Sequence, residues 1–216
     1  MQDLIDFLER RWPQLLELAV EHLVLVAISI VLATVIGVGI GVLAYRSRSL
    51  SELATAVTAT ILTVPSFALF GLMVAWVGLG DTSAIIALTA YALLPIVRNT
   101  ITGLHSVDPA ITESAKGMGM SYTRTLMRID LPLAWPVILA GIRVSTMLIV
   151  SIAAIAAYLG AGGLGNWIFD GLARAGSVAA MPLIISGTIG VVAVAFLLDA
   201  LYIGIGKLTT SRGLRD

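Results

Sequence analysis

Long stretches without a charged residue constrain this chain more than any other feature of its sequence. The longest runs from Leu53 to Gly80, between Glu52 and Asp81. A helix needs about 20 apolar residues to cross the ~30 Å hydrocarbon core of a bilayer, and these stretches are long enough. Only 12% of the residues are charged and 58% are hydrophobic, whereas a soluble domain has about 25% charged residues. The sequence therefore predicts an integral membrane protein and not a soluble enzyme.

Segments between charges predict five transmembrane helices in an all-α protein. The third segment is the shortest, because it ends close to Pro95 and Arg98. No segment shows the strict alternation that a strand of a membrane barrel requires. The predicted spans are Leu23–Tyr45, Leu53–Gly80, Thr82–Val97, Leu131–Ala157 and Met181–Gly206.

The distribution of Lys and Arg predicts how the chain is oriented. One side of the predicted topology carries three basic residues, Arg10, Arg11 and Arg174, and the other side carries nine. By the positive-inside rule, the N-terminus lies outside and the C-terminus lies in the cytoplasm. We therefore expect one transmembrane domain over residues 1–216, with its core at 23–206 and a cytoplasmic loop at 99–130.

Residues 1–20 are predicted to form an amphipathic helix at the outer interface of the membrane. Asp3, Asp6 and Glu9 occupy the region that is positively charged in a signal peptide, so a cleavable signal is excluded. Apolar residues recur at helical spacing opposite these acids, and Trp12 is expected at headgroup depth. A frayed tail is the alternative interpretation.

Several kinds of site are excluded by composition or context. The chain has no cysteine, and its 13 basic and 13 acidic residues cancel, so we expect neither thiolate sites nor nucleic-acid binding.

Gly160, Gly162 and Gly165 match GxGxxG by letter, but the dinucleotide fingerprint requires a soluble βαβ unit. Here the glycines follow a predicted membrane helix, which indicates a turn or re-entrant bend. We expect no metal site, and His22 is expected at the outer interface.

Small residues and prolines mark expected helix contacts and bends. Ala33, Gly37 and Gly41 recur every fourth residue in the first span, a spacing that lets another helix approach closely. Pro65 and Pro95 interrupt the second and third spans and are expected to bend them.

The cytoplasmic loop is predicted to contain two short helices. Asp108 is a good N-cap before Pro109 at the first helical position. A second helix is expected to restart near Ser121, run to Ile129 and end at Pro132. Two short helices that meet near a glycine suit insertion into a groove on a partner protein.

The spacing of residues in this loop resembles the signature of ATP-binding-cassette importer permeases, E-A-A, three residues, G, nine residues, I-x-L-P. Ser114 replaces the second alanine, a change between two small residues. The matching positions, which the resemblance assigns to ATPase coupling, are Glu113, Ser114, Ala115, Gly119, Ile129, Leu131 and Pro132.

The resemblance implies a transport subunit that is not itself an enzyme. Glu113 to Gly119 would form the coupling helix that docks on an ATPase. The implied partners are two cytoplasmic ATP-binding subunits, a second permease copy (identical or a sister permease) and an extracytoplasmic solute-binding protein. ATP and Mg would be bound by the ATPase, so no cofactor is expected in this chain. The implied location is a prokaryotic inner or plasma membrane.

Within this family, two segments resemble the glycine betaine, carnitine and choline group. They are Ala161–Gly165 with the following Asn166–Phe169, and Ser211–Leu214. A methionine-type amino-acid permease is the alternative, followed by a secondary transporter or channel. No substrate-binding residue is assigned, and Tyr158, Trp167 and Phe169 are interpreted as packing or interface residues.

Two charges within the predicted spans are expected to form a pair. Arg143 lies ~15 Å along the helix from the cytoplasmic start of the fourth span, and Asp199 lies ~12 Å from the cytoplasmic end of the fifth. A charge in hydrocarbon is costly and usually finds a partner. The alternatives are that both side chains reach an inward-facing water cavity near these spans, or that each reaches the cytoplasmic headgroups separately.

Overall fold

The computed structural model describes residues 2–209, with side chains described from residue 6 onward. The segment Ser211–Leu214 therefore lies outside the described residues. Within them the chain is helical and contains no strand. The helices are α1 (Gln2–Ala44), α2 (Arg48–Thr63), α3 (Ser66–Val77), α4 (Asp81–His105), α5 (Pro109–Gly117), α6 (Tyr122–Thr125), α7 (Leu131–Ala156), α8 (Gly165–Ala173) and α9 (Ala180–Thr209).

The described chain contains four helices that are each able to cross a membrane, and the count reaches the five predicted spans when one bent helix pair is taken as a further crossing. α1, α4, α7 and α9 are each long and apolar enough to cross a membrane. α2 and α3 together are long and apolar enough for one further crossing, which is broken by a 95° bend at Pro65. Ser51 Oγ donates to the carbonyl of Ala44 at the start of this pair, and the N–H of Gly80 donates to Leu159 O just beyond its end.

The crossings define two ends of the molecule. The loop end contains Ala44, His105 and the segment with α5 and α6, and the glycine end contains Asp81 and residues 160–163. Trp135 Nε1 donates to Thr209 Oγ1 at 2.8 Å, which places the end of α9 at the loop end. The ring centroids of Phe7 and Trp167 are 5.4 Å apart, which places the start of α1 beside α8 at the glycine end.

Three expectations about helix boundaries differ from the structure. α1 continues without a break through residues 20–23, so the amphipathic segment is part of the first long helix, and its place at the interface stays a prediction. α4 continues past Pro95 and Arg98 to His105, because Ile96, Ile101 and Leu104 extend its buried face.

The third difference concerns Pro132, which does not end a helix. α6 passes through a π-helical turn, Leu126–Asp130, directly into α7. The N–H of Leu131 bonds to the carbonyl of Leu126, and Pro132 follows this wider turn, whose backbone path accommodates a residue that has no N–H.

The core is built around α4, which packs between α1 and α7. The small residues of α1 face it, as the sequence predicts. Ala33 is fully buried, and a Cβ added to Gly41 would lie 2.6 Å from Cβ of Thr100. The two backbones therefore approach closely enough to maximise dispersion contacts, which must drive association where lipid is as apolar as the helix surface.

The glycine-rich segment forms a turn that is anchored to two other helices. Asp81 Oδ1 accepts from the N–H of Gly162 at 2.9 Å, and Glu21 Oε2 accepts from the N–H of Gly163 at 3.0 Å. The turn follows the helix α7 and not a strand, so it lacks the strand–turn–helix context of a dinucleotide-binding loop, and it leads into the short helix α8. His22 is fully buried beside this turn, with Nε2 3.1 Å from the carbonyl of Val150, so it packs inside the protein and its depth at the outer interface stays a prediction.

We predict that Gly41→Ala destabilises the protein, because its Cβ would overlap Thr100. Overpacking of this kind costs about 1–3 kcal/mol of the free energy of unfolding. Gly39→Ala is the matched control, since nothing lies within 4 Å of a Cβ at that position. Thermal midpoints of the purified protein in detergent should fall for Gly41→Ala only, and equal midpoints for the two variants would contradict close α1–α4 packing.

Candidate coupling loop and charge pair

The first loop helix starts as the sequence predicts. Asp108 is its N-cap, with Oδ1 accepting from the N–H of Ala110 at 2.9 Å, and Pro109 occupies the first helical position. The proline has no N–H to leave unpaired there, and the carboxylate complements the positive end of the helix dipole.

Gly119 ends this helix for a backbone reason. Its φ is +82°, in the left-handed region. The N–H of Met120 bonds to the carbonyl of Ala115 at 3.1 Å, and the N–H of Gly119 bonds to Lys116 O at 2.9 Å. These two bonds are the Schellman motif, which satisfies the last carbonyls of a helix and favours glycine at this position.

The inner side of α5 contacts the rest of the chain. Thr112 Oγ1 donates to Oδ1 of Asp130 at 3.1 Å, and that carboxylate, in the π-helical turn before α7, is almost fully buried. Ala115 is fully buried against the same chain. Its small side chain suits close packing, and α5 lies against α6.

A second set of contacts joins the segment that contains α5 and α6 to the end of α1. The guanidinium carbon of Arg46 lies 3.7 Å from the ring centroid of Tyr122, and Arg46 Nε donates to the hydroxyl of Tyr45 at 3.1 Å. The hydrogen bond to Tyr45, and to a lesser extent the charge of Asp130, raise the pKa of Arg46 above its ordinary value. His105 Nε2 donates to the carbonyl of Tyr45 at 2.6 Å, which adds the end of α4.

The outer side of α5 is open. Ile111 and Met118 are exposed, Met118 by 76%, and Glu113 and Ser114 are exposed between them. Ser114 Oγ donates to the carbonyl of Ala110 at 2.7 Å and so satisfies its hydroxyl within the helix. The remaining residues of the sequence signature lie at the base of α7: Ile129 and Leu131 are half-buried and Pro132 is exposed.

The structure brings Arg143 of α7 and Asp199 of α9 together. Arg143 Nε donates to Oδ1 at 2.6 Å and Nη2 donates to Oδ2 at 2.8 Å, which makes the pair bidentate. One turn away, the hydroxyls of Thr146 and Tyr202 are 2.9 Å apart. The side chains of Arg143 and Asp199 remain 43% and 29% exposed in the single chain. Arg143 borders an open groove of about 560 Å³ between α7 and α9, lined also by Leu139 and Lys207.

Comparison with known proteins identifies the protein family of this chain. Residues 33–207 match the binding-protein-dependent transport system inner membrane component. This chain belongs to that family. It is therefore a multi-pass inner-membrane permease subunit of a binding-protein-dependent transport system.

Curated relatives match this permease over nearly its whole length. The osmoprotectant import permease protein OsmW of Salmonella typhimurium is 37% identical, over 99% of this chain and 100% of that protein. The carnitine transport permease protein OpuCB of Listeria monocytogenes is 35% identical, over 100% of this chain and 97% of that protein. The glycine betaine/carnitine/choline transport system permease protein OpuCB of Bacillus subtilis is 34% identical, with the same coverage.

A solved structure has the same fold. The inward-facing methionine ABC transporter MetNI superposes with a TM-score of 0.79 at 23% identity, covering 91% of this permease and 96% of that chain. At this identity the likeness establishes the fold alone.

Sequence reasoning missed how the loop of this permease is held in place. The Thr112–Asp130 and Arg46–Tyr122 contacts join residues that are far apart in sequence, and no spacing rule links them. A local signal did exist for Gly119, since a glycine just past a helix end commonly has a positive φ. The buried aromatic Trp167 agrees with its interpretation as a packing residue.

We predict that the Arg143 and Asp199 substitutions are not additive. Arg143→Gln or Asp199→Asn alone leaves an uncompensated charge within the membrane, which is costly. The double variant removes both charges and should recover part of the loss, with a coupling energy of about 0.5–3 kcal/mol. Thermal midpoints of all four proteins in detergent measure this coupling. Strictly additive losses would show that the pair contributes nothing to stability.

Proposed function

We propose that this permease forms the membrane path of an ATP-driven importer for small quaternary ammonium osmoprotectants, of the glycine betaine, carnitine and choline type. The observation that carries the proposal is identity of 34–37% over nearly the whole chain to permeases named for these solutes. The likeness to the methionine transporter is one of fold only, so it gives no reason to prefer an amino acid as the solute.

The orientation follows from the positive-inside rule applied to the two ends of the fold. The loop end carries Arg46, Arg48, Arg124 and Arg128, so we assign it to the cytoplasm and the glycine end to the outside. The N-terminus is then outside and the C-terminus cytoplasmic. In this orientation the solute-binding protein delivers its solute at the glycine end.

Assembly with a second permease chain is part of the proposal. One chain with five crossings cannot enclose a path, so two chains must pair around it, either two copies of this one or this one with a sister permease. Each chain presents one α5 helix, and the assembly would therefore engage two cytoplasmic ATPases. These subunits bind ATP and Mg and carry out hydrolysis.

The coupling mechanism uses the two sides of α5. Its exposed side, with Ile111, Glu113 and Met118, docks on the ATPase. Its inner side passes the movement on, through Thr112 and Asp130 to the base of α7 and through the Tyr122–Arg46 stack to the end of α1. Closure of the ATPases then rocks the crossings as rigid bodies between outward-facing and inward-facing states.

The solute is tested by uptake. We expect membrane vesicles with the assembled importer, its binding protein and ATP to accumulate labelled carnitine, choline or glycine betaine. A complex whose ATPase subunits cannot hydrolyse ATP should accumulate none, because the gradient is driven by hydrolysis. Uptake of methionine in place of all three solutes would favour the amino-acid importer, and uptake without hydrolysis would favour a secondary transporter.

The docking surface is tested by Met118→Asp. An acid at this exposed apolar position should weaken binding of the ATPase, because it would have to be desolvated at the interface. We expect less ATPase to copurify with the permease and at least tenfold lower uptake. Val178→Asp is the matched control, since Val178 is also an exposed apolar residue but lies at the opposite end and outside the predicted spans. Normal copurification of Met118→Asp would place the docking surface elsewhere.

A further inference from the structure

Three aromatic rings meet at the glycine end, where the broken crossing turns. The ring centroids of Phe67 and Tyr158 are 5.3 Å apart, and those of Tyr158 and Phe169 are 5.2 Å apart. The rings come from the first turn of α3, the turn after α7 and the helix α8. We call these three residues the aromatic cluster.

The cluster leaves much of its ring surface open. Phe67 is 51% exposed and Tyr158 is 60% exposed, whereas Phe70, one turn further along α3, is buried in the core. Tyr158 is therefore not covered by packing within this chain, and its interpretation as an interface residue stays a prediction. Much of the ring surface of Phe67 and Tyr158 is accessible in the single chain.

The helix surfaces that lead to the cluster include exposed small and polar residues. Ser151 of α7 and Tyr158 in the turn just after α7 are both exposed. On α2 the exposed arc has two halves. One carries the large apolar residues Leu50, Leu53 and Val57, and the other carries Glu52, Ala56, Thr60 and Thr63.

The polar half of α2 is suited to water or to a solute. The hydroxyl of Thr60 donates to the carbonyl of Ala56 at 2.9 Å, and that of Thr63 donates to Thr60 O at 2.7 Å. These donors are therefore satisfied, and the surface holds no strong hydrogen-bonding site that would trap a solute. Polar and small surfaces in membrane helices face other subunits or a water-filled path.

We propose that Phe67, Tyr158 and Phe169 form a binding site for the quaternary ammonium group of a solute that enters the permease at the glycine end. This inference rests on the proposed function for its ligand. A quaternary ammonium has no N–H, so hydrogen bonds from the protein cannot hold it, but its charge is attracted to the face of an aromatic ring. Asp170, exposed and next to Phe169 in sequence, adds negative charge to this end.

The site is suited to weak, transient binding of a solute that moves through the permease, and not to tight binding. Open rings without an enclosing pocket bind weakly, and conduction requires binding that is favourable enough for entry and weak enough for release. The aromatic cluster would therefore receive the solute from the binding protein and pass it to the polar surface between Thr63 and Ser151.

The test measures binding to the assembled permease–ATPase complex without its binding protein. The probe is tetramethylammonium, detected by saturation-transfer NMR, with uncharged tert-butanol as a probe of similar shape. Phe67→Leu, Tyr158→Leu and Phe169→Leu should each weaken tetramethylammonium binding by about two- to thirtyfold. Tyr158→Phe keeps the ring and should bind as the unmodified complex does. tert-Butanol should not bind at the same concentrations.

A matched control separates the cluster from aromatic residues in general. Trp76 lies on α3, is 83% exposed and is outside the cluster, so Trp76→Leu should leave binding unchanged. Uptake of carnitine or choline by the full importer, measured in parallel, should fall for the three cluster variants and not for Trp76→Leu or Tyr158→Phe. The amount of assembled complex and its basal ATP hydrolysis show whether each variant has folded.

Failure of this inference differs from failure of the proposed function. Normal uptake of quaternary solutes together with unchanged tetramethylammonium binding in the Leu variants would overturn the aromatic site alone. Equal losses in Trp76→Leu and the cluster variants would also overturn it. Absence of uptake of every quaternary solute by the unmodified importer would overturn the proposed function, while the binding assay still tests the site.

Discussion

Inside a bilayer every backbone N–H and C=O needs a partner within the protein, and this requirement governs the rest of the structure. Continuous helices meet it along α1, α4, α7 and α9. The break between α2 and α3 is the costly exception, because Pro65 supplies no N–H. The hydroxyl of Tyr91 donates to the carbonyl of Val64 at 2.6 Å and so satisfies one group at the bend. A bent crossing can exist here because α4 supplies that donor.

The same requirement shapes the ends of the helices. At the glycine end, the carboxylates of Asp81 and Glu21 accept from backbone N–H groups that no helix pairs. At the loop end, the Schellman motif at Gly119 and the Asp108 cap pair the backbone of α5. The movable parts of a transporter must keep such groups satisfied in each state, so rigid helices that rock as units are better suited than segments that unwind.

Much of the site was readable from the sequence because its signals are local. The loop signature, the Asp108-Pro109 helix start and the small residues at positions 33, 37 and 41 all depend on short spacings along one helix or one turn. The positions of Arg143 and Asp199 also matched in depth, since helix rise is constant. The wrong predictions of helix boundaries are those in which the surrounding structure overrides a rule based on neighbouring residues in the sequence. Pro132 was expected to end a helix, but the π-helical turn before it removes the conflict.

The sequence by itself determined the membrane class and the family, because hydrophobic length and motif spacing can be read along the chain without knowledge of tertiary contacts. Only the tertiary structure decided which side of α5 is exposed and which side contacts the rest of the chain. The residues that hold this loop in place come from different segments, namely Thr112, Asp130, Arg46 and Tyr122. The tertiary structure also decided that Phe67, Tyr158 and Phe169 meet. Residues so far apart in sequence come together only when the 95° bend of the broken crossing directs α3 toward the ends of α7 and α8.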